Sequence, residues 1–362
     1  MIYIHTPFCG SFCTYCGFYS VIPGRGGFGA YLASLSEEIR RRSAETEASL
    51  GVNTLYIGGG TPSLLPAEAF VEIVKELNIS RLEEFTVEVN PEDIVQKGRA
   101  YVDALRRLGV SRFSMGVQSL DDAVLRFMNR RHSSEGARKA FALLRGERSV
   151  DIITGVPGMG FESLRKTLEE LLRWRPEHIS AYQLSIEEGS ALAGMLAEGC
   201  IAEAPEEECR RQYDFVCEAL AAEGYEHYEI SNWALPGHRA RHNSAYWTGQ
   251  PYVGLGPSAH SLRVFSDGRR VRSWNSLSSS GWKIQGSETL TEEQKRLETI
   301  MLGLRTAEGV PAEALLQAPA GATEEGASRR DALKRLQTLE NGNLRIPEKD
   351  FFVADEIISI FA

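Results

Sequence analysis

Short apolar runs alternate with longer amphipathic stretches through the first half of the chain. Strands are predicted at residues 2–5, 54–57, 85–89, 112–116, 150–153 and 179–184, where β-branched and aromatic residues dominate. Between them the apolar positions fall at helical spacing, as in Ala137, Ala140, Phe141 and Leu144. Such alternation implies parallel strands joined by crossover helices, in an incomplete barrel or an open α/β sheet.

Polar and glycine-rich clusters sit just after the strands rather than before them. Residues 9–16 follow the first, Gly58-Gly59-Gly60-Thr61 the second, and Glu88-Val89-Asn90 ends the third. Gly116-Val117-Gln118 ends the fourth, residues 151–158 cover the end of the fifth, and residues 182–185 close the sixth. In a parallel barrel all these positions share the C-terminal face, where active sites are built.

The pattern changes after about residue 185. Tyr213, Val216, Cys217 and Leu220 make another amphipathic helix, followed by Tyr228-Glu229-Ile230-Ser231-Asn232-Trp233. Residues 236–289 are rich in Gly, Ser, Trp and Tyr and show little helical periodicity. From near Thr291, Leu297, Ile300, Met301 and Leu304 share one helical face. A further helix over about 328–340 runs into Asn341-Gly342, a hairpin turn signal. Three regions result: 1–235 as a partial barrel, 236–290 as a connecting segment, and 291–362 as a small winged-helix-like α+β module.

Composition narrows the choices. The 362 residues carry 43% hydrophobic and 25% charged side chains, as an ordinary globular chain does. The net charge of −9 argues against nucleic acid, and the last region holds nine Lys or Arg against thirteen Asp or Glu. No apolar run approaches the ~18 residues that span a bilayer, and the N-terminus lacks a signal-peptide pattern, so a cytoplasmic protein is expected. Of six cysteines, Cys9, Cys13 and Cys16 fall together while Cys200, Cys209 and Cys217 are scattered. Three thiols in one loop cannot pair off, and in a reducing compartment they read as metal ligands. Structural zinc wants four ligands, and no second Cys or Cys/His pair follows with that spacing. Soft thiolates also select iron–sulfur clusters, and three of them would leave one iron of a cubane open to a chelating molecule.

The Cys-x3-Cys-x2-Cys run, with the motifs that follow it in order, resembles the radical S-adenosylmethionine superfamily. The resemblance implies a partial (βα)6 TIM-like barrel and a [4Fe–4S] cluster on Cys9, Cys13 and Cys16. It further implies that the open iron binds S-adenosylmethionine, which one electron cleaves to a 5′-deoxyadenosyl radical. Over nearly the whole chain the likeness narrows to the coproporphyrinogen-oxidase-like branch. Its carriers are Tyr3, His5-Thr6-Pro7-Phe8-Cys9, Gly58-Gly59-Gly60-Thr61-Pro62-Ser63, Glu88-Val89-Asn90-Pro91, Gly116-Val117-Gln118-Ser119, Asn129-Arg130 and Asp151. The family would place Tyr3, Tyr15, Gly59, Gly60, Thr61, Glu88, Gln118, Arg130 and Asp151 around S-adenosylmethionine. Phe8, Phe12, Tyr15 and Phe18 would shield the cluster, and His5 would bond a cluster sulfur or the loop backbone.

Within the branch, oxygen-independent coproporphyrinogen III oxidases carry a fourth cysteine two residues after the third, and a long segment before the first. Here that position is Phe18, and eight residues precede Cys9. Both features resemble the heme chaperones of the HemW family instead. So do Tyr228-Glu229-Ile230-Ser231-Asn232, residues 254–261 and residues 301–306. Thr6 and Gly17 depart from that family's usual isoleucine and aspartate. His242-Asn243-Ser244-Ala245-Tyr246-Trp247 matches its His-Asn-x-x-Tyr-Trp motif, which implies heme contact by His242, Asn243, Tyr246 and Trp247. Imidazole is a good axial ligand for iron and flat rings stack on a macrocycle. The bland alternative is that these side chains pack the open side of the barrel. The expected function is a heme chaperone that holds heme near the barrel mouth and passes it to an acceptor protein, such as a respiratory hemoprotein, with flavodoxin or ferredoxin as electron donor. A coproporphyrinogen oxidase-like radical enzyme is the alternative.

Overall fold

A computed structural model describes residues 1–24, 27–48, 53–79, 81–316 and 324–361. Six strands run parallel in chain order: β1 (Ile2–Thr6), β2 (Thr54–Gly59), β3 (Glu84–Val89), β4 (Arg112–Gln118), β5 (Glu147–Thr154) and β6 (His178–Gln183). The first five cover their predicted segments and extend them by one to four residues, because polar ends such as Glu147 and Gln118 still pair in the ladder; the sixth lies one residue earlier than predicted and leaves Leu184 outside. β7 (Glu226–Glu229) and β8 (Asn232–Ala234) add antiparallel strands beyond β6, and β9 (Val253–Leu255) pairs parallel to β1. The sheet order is β7-β8-β6-β5-β4-β3-β2-β1-β9. This is the α/β architecture the alternation predicts.

Crossover helices cover the outer face, among them Ala67–Leu77, Pro91–Leu108, Ser134–Leu143 and Phe161–Trp174. Their apolar stripes (Phe70 and Ile73, Val102 and Leu105, Ala137 and Ala140, Leu164 and Leu168) pack on the sheet in one continuous core. Local chemistry sets their ends. Pro91 opens one helix and Gly109, at φ 110°, closes it, while the Ser133 hydroxyl accepts from the Gly136 N–H of the next. Each fully buried Leu or Ile stabilises the fold by roughly 1.5–3 kcal/mol.

Beyond β9, β10 (His260–Val264), β11 (Arg270–Asn275) and β12 (Ile284–Thr289) form an antiparallel sheet. The C-terminal part has β13 (Val310–Pro311), β14 (Gln337–Thr338) and β15 (Asn343–Arg345), with Gly342 left-handed at φ 83° in the predicted hairpin turn. Its first helix, Glu292–Gly303, starts on a capping box between Thr291 and Gln294. Ile300 and Leu304 are buried as expected, but Met301 is exposed, on the side of the helix that faces solvent. The helix expected over 328–340 lies at Glu324–Arg335, since Gln337 and Thr338 pair as a strand. Backbone bonds from Ile230 N–H to Arg305 O and from Ala307 N–H to Tyr228 O fasten this part to the edge strand β7.

A buried carboxylate joins β9 and the β10–β12 sheet to the barrel. Glu38, on the helix Gly29–Arg41, accepts from Trp282 Nε1 (2.6 Å), Asn275 Nδ2 (2.8 Å), the Gly256 N–H (2.8 Å) and Arg42 Nη1 (3.2 Å). Glu38→Ala leaves the Trp282 indole and the Gly256 N–H without an acceptor and the Arg42 guanidinium short of a buried counter-charge, while Asn275 keeps its bond to Gly256 O. Equilibrium urea denaturation should show a loss of about 3–5 kcal/mol.

Candidate functional site

The strand ends build the site as polar clustering predicts. After β1 the chain closes a loop on itself: Cys9 N–H donates to Val21 O (3.0 Å) and Val21 N–H to Pro7 O (2.7 Å). His5 braces that loop. Its Nε2 lies 3.0 Å from Tyr19 O, a pure acceptor, so Nε2 carries the proton and Nδ1 accepts from the Tyr3 hydroxyl at 3.1 Å. Of the two roles foreseen for His5, the bond to loop backbone is the one present. Tyr3, expected beside S-adenosylmethionine, donates to His5 and is not among the residues that line the large cavity.

Cys9, Cys13 and Cys16 are free thiols, each half-buried, and all line one cavity of about 1160 Å³. Thr61 Oγ1 lies 3.8 Å from Cys9 Sγ and Arg130 Nη1 3.4 Å from Cys13 Sγ. Burial pushes the Cys9 and Cys16 thiols above their ordinary pKa. Among the described residues no three His, Cys, Asp or Glu side chains converge on a single metal ion. The cysteines of a cubane each ligate a different iron, so a spread trio suits a cluster better than one ion.

The Gly58–Thr61 turn, numbered 58–61, lies directly on the cysteine loop. Gly60 N–H donates to Thr6 O (2.7 Å) and Thr61 N–H to Phe8 O (2.6 Å). A Cβ on Gly60 would come within 2.6 Å of Phe8 O and 3.0 Å of Cys9 Sγ; Gly59 sits at φ 110° with the His5 ring 2.6 Å from where its Cβ would be. Only glycine fits either place. Glu88 accepts from the Tyr56 hydroxyl (2.7 Å) and the Gly59 N–H (3.1 Å), and burial pushes its pKa up to about 7. Asp151 accepts from Ser114 Oγ (3.0 Å) and is pushed up to about 6, again mainly by burial. Both carboxylates stand on the cavity wall with no cation bound to either among the described residues.

Opposite them, Arg130 donates to Gly116 O (2.7 Å) and, through Nη1, to Cys13 Sγ, with Tyr15 beside it. Gln118 ends β4 in a bulge, in the left-handed region at φ 64°. Such strain is held where the surroundings over-determine it. Gln118 Oε1, Arg130 Nε and Asn90 Oδ1 are buried cavity-wall atoms without hydrogen-bond partners among the described residues. Free thiols, glycine turns no side chain could share, unneutralised carboxylates and orphaned polar atoms together fit a cluster with a small polar chelate beside it.

Several wall residues escaped the sequence reading: Tyr56, Ser114, Ser149, His178 and Ser180, while Tyr182 lay in the cluster expected after the sixth strand. With Thr86, Glu88 and Asp151 they occupy every second position along β3, β5 and β6 and recur in β2 and β4. A period-two polar stripe inside otherwise apolar parallel strands was the signal available.

The His-Asn-x-x-Tyr-Trp segment is a helix, Arg241–Trp247, rather than a loop, and it lies at the opposite end of the strands from the cysteines. The Glu84 carboxylate, at the start of β3, accepts from the N–H groups of Arg241 (2.9 Å) and His242 (3.0 Å), capping the helix N-terminus onto the barrel floor. His242 is 1% exposed. Its Nδ1 lies 2.8 Å from Thr54 Oγ1 and its Nε2 3.2 Å from the Tyr246 hydroxyl, and burial lowers its pKa to about 3. Asn243 alone of the four motif residues lines the large cavity; Trp247 lines a separate one. The motif therefore closes the floor of the barrel, where its helical contacts were invisible in so short a segment.

A parallel α/β barrel with a three-cysteine loop after its first strand defines a radical S-adenosylmethionine protein, and residues 3–171 match the Radical SAM superfamily model. The whole chain superposes on coproporphyrinogen III oxidase (HemN) from Escherichia coli with a TM-score of 0.77 at 20% identity, covering 99% of this chain and 89% of that one. Sequence relatives are more specific. Heme chaperone HemW of Lactococcus lactis is 31% identical over 322 residues, 86% of this chain and 83% of that protein. The mitochondrial radical S-adenosyl methionine domain-containing protein 1 of Danio rerio is 34% identical over 329 residues, 85% and 73% of the two chains. The chain belongs to the HemW family.

The raised carboxyl of Asp151 makes stability depend on pH in a defined direction. An acid whose folded pKa exceeds its unfolded value favours folding as pH falls between the two. The variant Asp151→Asn should be more stable than wild type at pH 8 in urea denaturation, and lose that advantage as pH falls from about 6 towards about 4. An advantage that stays constant across this window would contradict the burial argument.

Proposed function

We propose that this chain is a heme chaperone which holds a [4Fe–4S] cluster on Cys9, Cys13 and Cys16 with S-adenosylmethionine beside it, binds heme, and passes heme to an acceptor protein. The observation that carries this is the three-thiol loop closing one end of a polar barrel, in a chain whose relatives are named heme chaperones. A cluster so held supplies one-electron chemistry at an iron left open to a chelating ligand. Glu88 and Asp151 would accept from amino or hydroxyl groups of that ligand, Gln118 Oε1 from another donor, and Arg130 would face its carboxylate. Gly59, Gly60 and Thr61 bring backbone close enough to touch it. Tyr15 and Phe8 shield the thiols from water, whereas Phe12 and Phe18 are exposed and leave one edge open to an electron donor such as flavodoxin or ferredoxin.

Phe18 stands where the oxidases place a further cysteine, and its exposed ring offers no ligand. This favours heme handling over propionate decarboxylation. His242 suits heme iron in one respect: Thr54 fixes its Nδ1, the outer contact typical of a ligating imidazole. Heme ligation at its Nε2 would require the Tyr246 hydroxyl to move aside, with Asn243 and Trp247 on the same helix. Among the described residues no helix is long and apolar enough to cross a membrane, and six free cysteines suit a reducing compartment such as the cytoplasm.

Anaerobic cluster reconstitution followed by parallel heme titration and coproporphyrinogen turnover tests the reading. Stoichiometric heme binding, weakened in His242→Ala and without porphyrin product, is the expected result; efficient decarboxylation would reinstate the oxidase. Cys13→Ala should lose the brown iron–sulfur absorbance, and a full cluster surviving in that variant would show the ligands to be wrongly assigned.

A further inference from the structure

The helix Arg241–Trp247 separates two cavities. Asn243 faces the barrel interior, while Ser244 and Trp247 line a second space of about 460 Å³ towards the C-terminal part. Two donors in the wall of this second cavity have no acceptor. The Trp247 indole N–H is buried without a hydrogen-bond partner, although Arg305 lies 5.8 Å from the ring centroid. The Arg270 guanidinium, on β11, has neither ion pair nor hydrogen bond among the described residues.

The other polar groups of the wall are already engaged. Glu308 is matched by Arg239 at 2.5 Å, and Arg239 also bonds Glu226 at 3.2 Å. The hydroxyls of Ser244, Thr299 and Thr306 donate to carbonyls three or four residues earlier in the chain, at 2.7, 2.9 and 2.9 Å. Arg270 therefore contributes an uncompensated charge, and it and the indole are the donors left. Leu302, Val310 and Pro311 supply apolar surface.

We propose that this second cavity binds a small carboxylate with a flat apolar body. A carboxylate is acceptor-only and carries two oxygens, which two donors can share; a phosphate would leave oxygens without donors here. Leu302, Val310 and Pro311 then take the body of the ligand, which extends away from the indole edge. The inference is independent of the cluster, of S-adenosylmethionine and of heme.

Isothermal titration of the full chain, before and after cluster reconstitution, tests it, with benzoate as the probe and benzamide and inorganic phosphate as comparisons. Saturable benzoate binding is expected in both states, with benzamide weaker by about tenfold or more. Arg270→Met should raise the benzoate Kd by about tenfold, Trp247→Phe should raise it while keeping the ring, and Arg270→Lys should restore part of the affinity. Absence of saturable benzoate binding, or a Kd unchanged in both Arg270→Met and Trp247→Phe, would overturn the proposal. Phosphate binding more tightly than benzoate would overturn the assignment to carboxylates. Loss of heme binding with benzoate binding intact would leave this site standing and strike only the chaperone reading.

Discussion

Parallel pairing is the constraint on which everything else rests. Six strands hydrogen-bonded in the same direction must all end at one mouth, and each can be followed only by a loop that faces it. The cysteine loop, the glycine turn, Glu88, Gln118 and Asp151 are distant in sequence and meet because their strands share a polarity. The sheet also explains which loops are stiff. The turn after β2 is bonded to the backbone of the cysteine loop, so two consecutive units stabilise each other's geometry at the point where the thiols emerge.

The interior of the barrel is a compromise between folding and chemistry. A parallel strand is normally apolar on both faces, yet here the inward side carries hydroxyls, carboxylates and an imidazole. Stability is recovered on the outer side, where Ile57, Phe85, Val87 and Phe113 pack under the crossover helices. The elevated carboxyls of Glu88 and Asp151 are the electrostatic signature of that arrangement: acids walled into a cavity with nothing positive bound to them. Perturbed acids of this kind cluster where ligands are held.

Much of this was legible in the residues. Alternation of short apolar runs with helical periods located all six parallel strands, and the clustering of Cys9, Cys13 and Cys16 located the mouth. Other parts were hidden for physical reasons. The helix Arg241–Trp247 spans two turns, too few for a 3.6-residue period to show, and it is held by tertiary contacts with Glu84 and Thr54 rather than by propensity. The strands β10–β12 bury few residues fully, so their apolar pattern is faint. The inward serines of β4–β6 were masked because Ser and Thr in a strand read as ordinary surface positions until the curvature of the sheet turns them inward. Met301 followed the period of its helix but not the side that the rest of the protein covers.

The floor helix has a mechanical consequence. Its N-terminal N–H groups are riveted to Glu84, itself bonded by Arg112 at 3.3 Å, while its far end looks into a different chamber. Occupants on either side of this thin bulkhead share no direct path. Anything that tugs on Trp247 must pull against the Glu84 and Thr54 anchorages before it is felt beneath the thiols, so the two compartments can communicate only as loudly as those two ties permit.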